Sequence, residues 1–507
     1  MVSKLLRILR QLKNYRYLLL IVLLLSFYLR FWQLGYSGFY GDETKALYTD
    51  KTVPAIKFLL DQRKGPVQFV AAWGMEKLSG GYDELAIRIP FALAGSLSVL
   101  VLFLIVNKIA GRKAALISAG LYGFNGFFIA FSRTVQYQSF LLLFGFLAIY
   151  FALLYEEIKI GTGKRYAALS GIFLALAYLS HYDAVFFDLA VAIILVRKII
   201  FNRGNLKGII KEISIYYLPP FVFTAGLFYV PYFVYGYYYS NTFNYLNRRL
   251  TGLEFGQNAS WYTFWVYNPH LIWAFLTVFI IPFLLKQANW HRHLLLFWFL
   301  VPFVVFEFIF SNPGTHIHNY FIPLIVMISI GIVDLLEFMG SNYIRQAVYI
   351  GLVCVFLTLF SVAVFVYVPG ANRGYPWKDS NLGSTEASRI SKNFHLFLYG
   401  FPYERGWTQI ARYVEEKGGI RGYYTNDNVV VAQYYLRGID LTKPGVNFLP
   451  DHFIYVYDNQ EFVDLPKDML VELDKTPFTD VYDLEKEFYV DGQLTASMFK
   501  NILPKVK

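Results

Sequence analysis

The chain has 507 residues, of which 56% are hydrophobic, 20% aromatic and 16% charged. Soluble domains carry about 25% charged residues, so this composition excludes an ordinary soluble protein and indicates many membrane spans. The formal charge is +11, but the excess of Lys and Arg lies in the apolar part, and no basic-aromatic motif indicates nucleic-acid binding. The single cysteine, Cys354, excludes an intrachain disulfide and a cysteine-based metal site.

The first apolar segment follows a basic N-terminus. Lys and Arg recur through the first 16 positions, and residues 17–32 are almost continuously apolar. The segment is long for a signal peptide and lacks a small-residue cleavage site. We therefore predict that it stays in the protein as a membrane anchor.

The loop over residues 36–83 places acidic and basic residues beside the membrane. Asp42 and Glu43 are adjacent, and Lys64 precedes a Gly-Pro turn. Two amphipathic helices along the interface are predicted within the loop, at 44–60 and 67–78. Charges at a membrane–water boundary are typical of functional sites, although a solvated loop with ordinary charges is the alternative interpretation.

Further apolar segments follow, most of them near the roughly 17–25 residues that a spanning helix needs. They lie near 85–106, 114–131, 138–155, 166–180, 184–196, 213–235, 266–285, 294–310, 320–338 and 348–368. The short pair at 166–180 and 184–196 is also compatible with a re-entrant hairpin. With the first segment included, we predict an all-α polytopic membrane protein with about 11 transmembrane helices.

The loops between these segments fall into two groups that alternate along the chain. The group that includes the N-terminus carries 19 Lys and Arg residues, and the group that includes 36–83 carries 9. Loops rich in Lys and Arg face the cytoplasm, so we predict a cytoplasmic N-terminus and an extracytoplasmic first loop in the plasma or inner membrane. An odd number of spans then places the C-terminal region outside as well.

The composition changes near residue 370, and we divide the chain into a membrane domain, 1–369, and an extracytoplasmic domain, 370–507. The second part contains 16 basic and 19 acidic residues. A helix at 407–417 and strands at 429–435 and 453–457 predict a small α/β domain. It has no phosphate-binding glycine loop and no nucleophile–base pair, which favours a structural or substrate-contacting cap.

Several polar residues lie at helix ends in the same group of loops as Asp42. They are Arg133 with Tyr137, His181 with Tyr182, Arg248, and His318 with Tyr320. Each has a structural alternative, such as an arginine that snorkels to headgroups, an interfacial histidine or an aromatic residue of the membrane belt. Together, these carboxylates, cations and histidines favour a reaction between a membrane lipid and a polar acceptor.

Three elements resemble the polyprenol-phosphate-dependent glycosyltransferases of the C-type superfamily. They are the acidic pair of the first loop, the Lys64-Gly65-Pro66 turn, and Asp-Glu-Leu-Ala-Ile-Arg-Ile-Pro at 83–90. Looser similarities lie at Arg133 to Tyr137, at His181-Tyr182 and at His318 to Pro323. The resemblance covers about residues 15–340 and is greatest to the protein O-mannosyltransferases and lipid A aminoarabinose transferases.

The resemblance implies an enzyme that transfers a sugar, with inversion, from a polyprenyl-phosphate donor to an extracytoplasmic lipid, glycan or protein. Asp42 matches the position of the catalytic base, with Glu43 as its neighbour. Lys64 matches the lysine that holds the donor phosphate, and Arg133 and Arg248 are its predicted companions. The predicted substrate-binding residues are Tyr137, His181, Tyr182, His318 and Tyr320.

The sequence leaves a metal cofactor open. Aminoarabinose transferases place an acid directly before the matching lysine, whereas Arg63 precedes Lys64 here, so a metal site does not carry over. His316 and His318 could still bind a divalent metal, but the sequence offers no third ligand that we can assign.

Two other functions stay open at this point. A transporter or flippase for lipid-linked glycans would need charged residues near the middle of the membrane, and Asp188 and Glu307 are the acids placed most deeply. An oligosaccharide polymerase or ligase would share a lipid-linked donor, but would not be expected to depend on the acidic pair of the first loop.

Overall fold

The structure is a computed structural model, and it describes residues 15–251, 264, 267–287, 289–311, 313–368, 400, 404–441, 450–457 and 481–502. Most of the basic N-terminus and the predicted domain boundary at 369–370 lie outside these ranges.

The helices of the membrane part are α1 (Tyr15–Phe31), α2 (Gly41–Thr44), α3 (Ala55–Leu60), α4 (Val67–Ser79), α5 (Glu84–Gly123), α6 (Gly126–Ser132), α7 (Gln138–Glu157), α8 (Lys164–Ser180), α9 (Ala184–Phe201), α10 (Leu206–Glu212), α11 (Leu218–Val234), α12 (Asn244–Thr251), α13 (His270–Thr277), α14 (Ile280–Leu285), α15 (Trp290–Val304), α16 (His318–Phe338) and α17 (Asn342–Tyr367).

Among the described residues, six helical stretches are long and apolar enough to cross a membrane. They are Glu84–Gly123, Gln138–Glu157, Arg203–Val234, Trp290–Ile309, Gly314–Phe338 and Asn342–Tyr367. Shorter apolar helices, such as α1, α8 and α13, occupy other predicted segments, and α5 turns sharply at Gly111, where φ is +83°. The prediction of an all-α polytopic membrane protein is confirmed, while helix lengths do not fix the number of spans.

Helix α16 forms the centre of the bundle, since 83% of its span is buried. It packs against α5, α14 and α15. Gly331 allows this close packing, because a side chain there would overlap the carbonyl oxygen of Phe279. The stretch through α11 and helix α17 are mostly exposed, as expected of helices whose outer faces contact lipid.

The loops at the two ends of the helix bundle are the same two groups of loops that the sequence predicts on opposite sides of the membrane. At one end, Lys108 pairs with Glu157, Arg197 pairs with Glu156, and the Arg197 guanidinium lies 3.8 Å from the centre of the Trp290 ring. At the other end, the loops that contain the predicted site residues meet. Which end faces the cytoplasm is still a prediction from loop charge.

The first loop differs from its prediction in one part. Helix α4 matches the second predicted amphipathic helix, but the first is reduced to α3, and α2 ends where that helix was predicted to begin. Asp50 accepts hydrogen bonds from the Thr52 amide (2.9 Å) and hydroxyl (2.6 Å), and such local bonds compete with helix formation. Pro54, which has no N–H to donate, then forms the N-cap of α3.

The described part of the C-terminal region is a five-stranded sheet with two helices. Its elements are α18 (Trp407–Glu416), β1 (Gly422–Thr425), α19 (Val429–Tyr435), β2 (Asp440–Leu441), β3 (His452–Val456), β4 (Tyr482–Val490) and β5 (Gln493–Asn501). The strand order is β2-β1-β3-β5-β4. Strand β1 runs parallel to β2 and β3, while β5 runs antiparallel to β3 and β4. The prediction of a small α/β domain is confirmed.

One predicted strand of this domain is a helix. The residues Val429–Tyr435 form α19, although their three consecutive valines favour a strand. Asn428 caps the helix, since its side-chain oxygen accepts from the Val430 N–H at 2.9 Å. Helix α19 packs against α2 in the first loop, so it joins the domain to the membrane part.

Candidate active site

Five loops meet at one end of the helix bundle: those before α5, before α7, between α8 and α9, after α11, and before α16. The contacts that join them are Lys64 with Gln136, Tyr137 with His181, Asp183 with His316, and Arg63 with Tyr245. The structure thus brings the polar residues of the first loop next to the predicted histidines.

Glu43 is fully buried and fixes the acidic loop. Its carboxylate accepts two hydrogen bonds from Arg88, at 2.9 Å from Nε and 2.8 Å from Nη2. It also accepts from the backbone N–H groups of Tyr40 (2.7 Å) and Val135 (2.8 Å). These donors occupy about all of the acceptor sites of a carboxylate, so Glu43 holds the loop in place, and its catalytic role stays a prediction.

Arg88 extends this network along the loop. It comes from the 83–90 run, where it is buried, and its guanidinium also donates to three carbonyl oxygens of the chain before Asp42. These belong to Leu34 (3.1 Å), Ser37 (2.7 Å) and Gly38 (2.9 Å). The arginine of the 83–90 run therefore holds the backbone that leads into the acidic pair.

Asp42 has a different environment from its neighbour. Its side chain is 23% exposed, with one oxygen 2.7 Å from Lys45 Nζ and the other 3.2 Å from Lys64 Nζ. Charge-assisted bonds of this kind favour the ionised carboxylate. Asp42 is therefore the member of the acidic pair that an incoming hydroxyl group can reach.

Lys64 links Asp42 to the helix ends. Its Nζ also donates to Gln136 Oε1 at 3.1 Å and lies 5.5 Å from the centre of the Tyr137 ring. The next residue, Gly65, has a φ of +108°, and a side chain there would overlap the carbonyl oxygen of Leu179. Burial lowers the pKa of Lys64 to about 8, although the charge of Asp42 opposes the shift.

Arg133, predicted to accompany Lys64 at the phosphate, is used elsewhere. It is only 4% exposed, and its Nη1 donates to the carbonyl oxygens of Leu29 and Trp32, both at 3.0 Å. The last carbonyls of a helix lack intrahelical partners, and Arg133 supplies donors to those at the end of α1. These bonds hold Arg133 at the end of α1, and its phosphate-binding role stays a prediction.

The other predicted arginine, Arg248, lies on α12, where its neighbour Arg249 faces the polar cluster. The Arg249 guanidinium packs against Gly314 and lies 4.9 Å from the centre of the Tyr245 ring. Arg63 covers the same ring at 3.6 Å. Arg63 and Arg249 thus share one aromatic ring beside Lys64, so the structure favours Arg249 over Arg248 as the arginine of the site.

Asp183 is the centre of a buried polar cluster beside these cations. Its Oδ2 accepts from His316 Nδ1 at 2.6 Å and from Asn319 Nδ2 at 3.0 Å. His318 Nε2 lies 3.3 Å from the same oxygen, while His318 Nδ1 lies 3.0 Å from the carbonyl oxygen of Thr315. The carboxylate thus joins the loop after α8 to the start of α16.

Aromatic stacking continues the cluster toward Lys64. The His181 ring lies between those of Tyr137 and Tyr182, with centroid distances of 3.7 and 3.8 Å. Burial lowers the pKa of His181 to about 3, so this ring is neutral. Tyr320 lies apart from the cluster, because its hydroxyl donates to Glu307 at 2.7 Å. Of the predicted substrate-binding residues, four lie together and Tyr320 does not.

The cluster contains a set of residues that could be tested as a metal site. Among the described residues, His181, Asp183 and His316 offer ligand atoms that lie within 4.8 Å of one another. His181 Nδ1 lies 3.1 Å from both the backbone nitrogen and Oδ1 of Asp183. The Asp183 carboxylate is also bonded to His316 and Asn319. A metal ion at this position would have to replace these hydrogen bonds.

Known proteins share this architecture. The family described as dolichyl-phosphate-mannose-protein mannosyltransferase matches residues 63–229. ArnT from Cupriavidus metallidurans, solved with bound undecaprenyl phosphate, is 14% identical with a TM-score of 0.53, and the match covers 96% of this chain and 97% of that one. The arabinofuranosyltransferase AftD from Mycobacteria is 12% identical with a TM-score of 0.55, covering 96% of this chain and 41% of that one. No curated protein sequence matches the chain.

The chain therefore has the fold of the C-type membrane glycosyltransferases, a class of membrane proteins. The resemblance predicted from the first loop and the 83–90 run is confirmed, and the family match begins at Arg63, beside Lys64.

Several residues of the site were not predicted from the sequence. Arg88 lies in the 83–90 run and Asp183 directly follows His181-Tyr182, so both were in view without an assigned role. Gln136 lies beside Tyr137 and was likewise in view without an assigned role, whereas Tyr245 carries no sequence signal, since aromatic residues are common at helix ends. Their partners lie 72 and about 180 residues away along the chain, which only a folded structure can show.

Proposed function

We propose that this protein is an inverting membrane glycosyltransferase that takes a sugar from a polyprenyl-phosphate donor. The observation that carries the proposal is the pairing of Asp42 with Lys64 at 3.2 Å, partly exposed, at the helix ends. The fold shared with ArnT, which was solved with undecaprenyl phosphate, supports a donor of this chemistry. The acceptor is a lipid, glycan or protein on the extracytoplasmic side.

The donor phosphate is expected to bind between Lys64, Arg63 and Arg249. These three cations surround Tyr137 and Tyr245 on one side of Asp42. A phosphate that bonds to Lys64 would compete with Asp42 for the ammonium group, and donor binding would thereby release one oxygen of Asp42. The prenyl chain would then lie along the exposed apolar faces of the neighbouring helices.

The released carboxylate of Asp42 can act as the general base. It takes the proton of the acceptor hydroxyl as that oxygen attacks the anomeric carbon from the face opposite the phosphate. The bond between the anomeric carbon and the phosphate oxygen breaks, and its electron pair leaves with polyprenyl phosphate. Lys64 and the two arginines stabilise the leaving phosphate.

The observations do not favour the alternative of a transporter. Its candidate acids accept hydrogen bonds from nearby tyrosines, Asp188 from Tyr178 at 3.0 Å and Glu307 from Tyr320 at 2.7 Å. The polar residues that join the first loop to the histidine cluster instead lie at one end of the bundle, beside Asp42. A polymerase or ligase would share a lipid-linked donor, but it would not be expected to depend on the acidic pair of the first loop.

The decisive experiment uses the purified protein in lipid nanodiscs with a panel of polyprenyl-phosphate sugars. Release of free polyprenyl phosphate is measured with and without acceptor extracts. Asp42→Asn keeps the shape of the side chain but cannot take a proton, so turnover should fall by about 10²–10⁴-fold with an unchanged melting temperature. Asp50→Asn, in the same loop but exposed, is the matched control and should keep parental turnover. Parental activity of Asp42→Asn would refute the proposed base.

A further inference from the structure

The acidic loop is held from a second side by the C-terminal domain. The Glu43–Arg88 network contacts the carbonyl groups before Asp42 from the membrane part. The C-terminal domain contacts other backbone groups of the same loop. These contacts are made by residues just before α18 and at the C-terminal end of α19. These contacts are separate from the groups that would bind substrate.

Three hydrogen bonds join the domain to consecutive backbone groups of the loop. The Gly38 N–H donates to Glu404 Oε2 at 3.0 Å, and the Phe39 N–H donates to the Tyr435 hydroxyl at 2.8 Å. Arg405 Nη2 donates to the Phe39 carbonyl oxygen at 2.8 Å. Arg405 is 2% exposed. Glu404 also accepts from the Gly406 N–H at 2.8 Å, and the Tyr435 hydroxyl also donates to Glu84.

Tyr435 connects the loop to the membrane helices as well. Its hydroxyl accepts from Phe39 and donates to Glu84 Oε1 at 2.6 Å, and Glu84 begins α5. The Phe39 ring meets the edge of the Tyr434 ring at 5.4 Å. One hydroxyl group therefore fixes the distance between the acidic loop, helix α5 and helix α19.

The domain also approaches the residue next to Asp42. A Cβ atom placed on Gly41 would lie 2.8 Å from Asn428 Nδ2, which leaves no room for a side chain. Asn428 is the N-cap residue of α19, so the N-terminal end of that helix lies directly against the backbone of α2. Helix α2 is a single turn of four residues, which is too short to hold its own conformation in water.

We propose that the C-terminal domain positions the Asp42 carboxylate, with Tyr435 as the principal positioning residue. The inference rests on the proposed role of Asp42 as the base. A misplacement of about 1 Å can reduce the rate of an oriented reaction by about 10²-fold, and the short α2 turn depends on its outer contacts for its position. The domain is thus a part of the active site rather than a cover above it.

The test compares Tyr435→Phe with Tyr423→Phe in the full-length protein. Both variants remove one phenolic hydroxyl from the same domain, but the buried Tyr423 hydroxyl of β1 has no hydrogen-bond partner among the described residues. Tyr435→Phe should lower kcat by roughly 10–100-fold while donor KM stays within about twofold of the parental value. Tyr423→Phe should leave both constants unchanged.

Hydrogen exchange of the peptide that contains Phe39 provides a readout independent of activity. Exchange should accelerate in Tyr435→Phe and not in Tyr423→Phe, with similar melting temperatures for both. If Tyr435→Phe keeps the kcat of Tyr423→Phe while Asp42→Asn is inactive, the positioning role is refuted and the proposed function stands. If Asp42→Asn is active, the proposed base fails, and the positioning role fails with it.

Discussion

A lysine with a pKa near 8 changes its charge within the pH range in which enzymes are ordinarily assayed. Lys64 is in this state because its ammonium group is largely removed from water. Asp42 is its partner at rest, and a donor phosphate is its proposed partner during turnover. The affinity for donor should therefore depend on pH through this one side chain.

We expect donor KM to rise above pH 8, approaching tenfold per pH unit, because the free enzyme loses the positive charge of Lys64. Lys64→Arg should remove this rise, since arginine stays protonated throughout the range. The folded-state pKa lies below the unfolded value, so this group makes the free energy of unfolding increase from about pH 8 to 10.5. A loss of donor affinity above pH 8 would thus not be caused by unfolding of the protein. A flat KM profile for the parent would contradict the role of Lys64.

The adjacent arginines of α12 give a second prediction at this scale. Arg249→Gln should raise donor KM by roughly tenfold to a hundredfold, because a lost charge-assisted bond costs about 1.5–3 kcal/mol. Arg248→Gln removes the same charge one position earlier and should change KM much less. Donor titrations of the two variants, measured side by side, decide between the sequence-based choice of Arg248 and the structure-based choice of Arg249.

At the scale of elements, the turn between α3 and α4 determines where Lys64 lies. Gly65 adopts a left-handed conformation and packs directly on the carbonyl oxygen that ends α8. The turn and the loop after α8 are therefore one packed unit, although they are about 115 residues apart in sequence. This packing sets the distance between Lys64 and the histidine cluster.

Gly65→Ala should disturb this unit in two ways. The left-handed backbone costs roughly 1–3 kcal/mol for a residue with a side chain, and the added methyl group overlaps Leu179. We expect a lower melting temperature together with a raised donor KM. Gly80→Ala has a similar φ of +80° but open space around it, so it should show the strain alone, with an unchanged KM. Equal donor KM values for the two variants would show that the turn does not influence donor binding.

The elements also show how far the sequence determines the structure. Hydropathy located the apolar helices, because burial in lipid requires long apolar stretches. Helix α19 was predicted as a strand, because its valines favour a strand and the only signal for a helix is the capping residue Asn428. The partners of Glu43 and Asp183 lie 45 and 133 residues away. The sequence therefore predicted the acidic pair but not that Glu43 is buried and Asp42 partly exposed.

For the whole molecule, the orientation in the membrane is the remaining prediction. Reporter fusions at Gly374 and Asp458, two positions outside the described ranges, should both give an extracytoplasmic signal. A fusion at Asn202, in the more basic group of loops, should give a cytoplasmic signal. The reverse pattern would place Asp42 on the cytoplasmic side and would exclude an extracytoplasmic acceptor.

The contacts between the acidic loop and the C-terminal domain also set an order of events during synthesis. Phe39 leaves the ribosome 396 residues before Tyr435, an interval of roughly 20–80 s at 5–20 residues per second. Throughout that time the membrane helices can insert while the loop still lacks its last partners. A nascent or truncated chain that ends before Glu404 keeps the Glu43–Arg88 network but lacks the contacts of the domain with Gly38 and Phe39. If the domain positions Asp42 as proposed, such a chain would not react prematurely with the lipid pool.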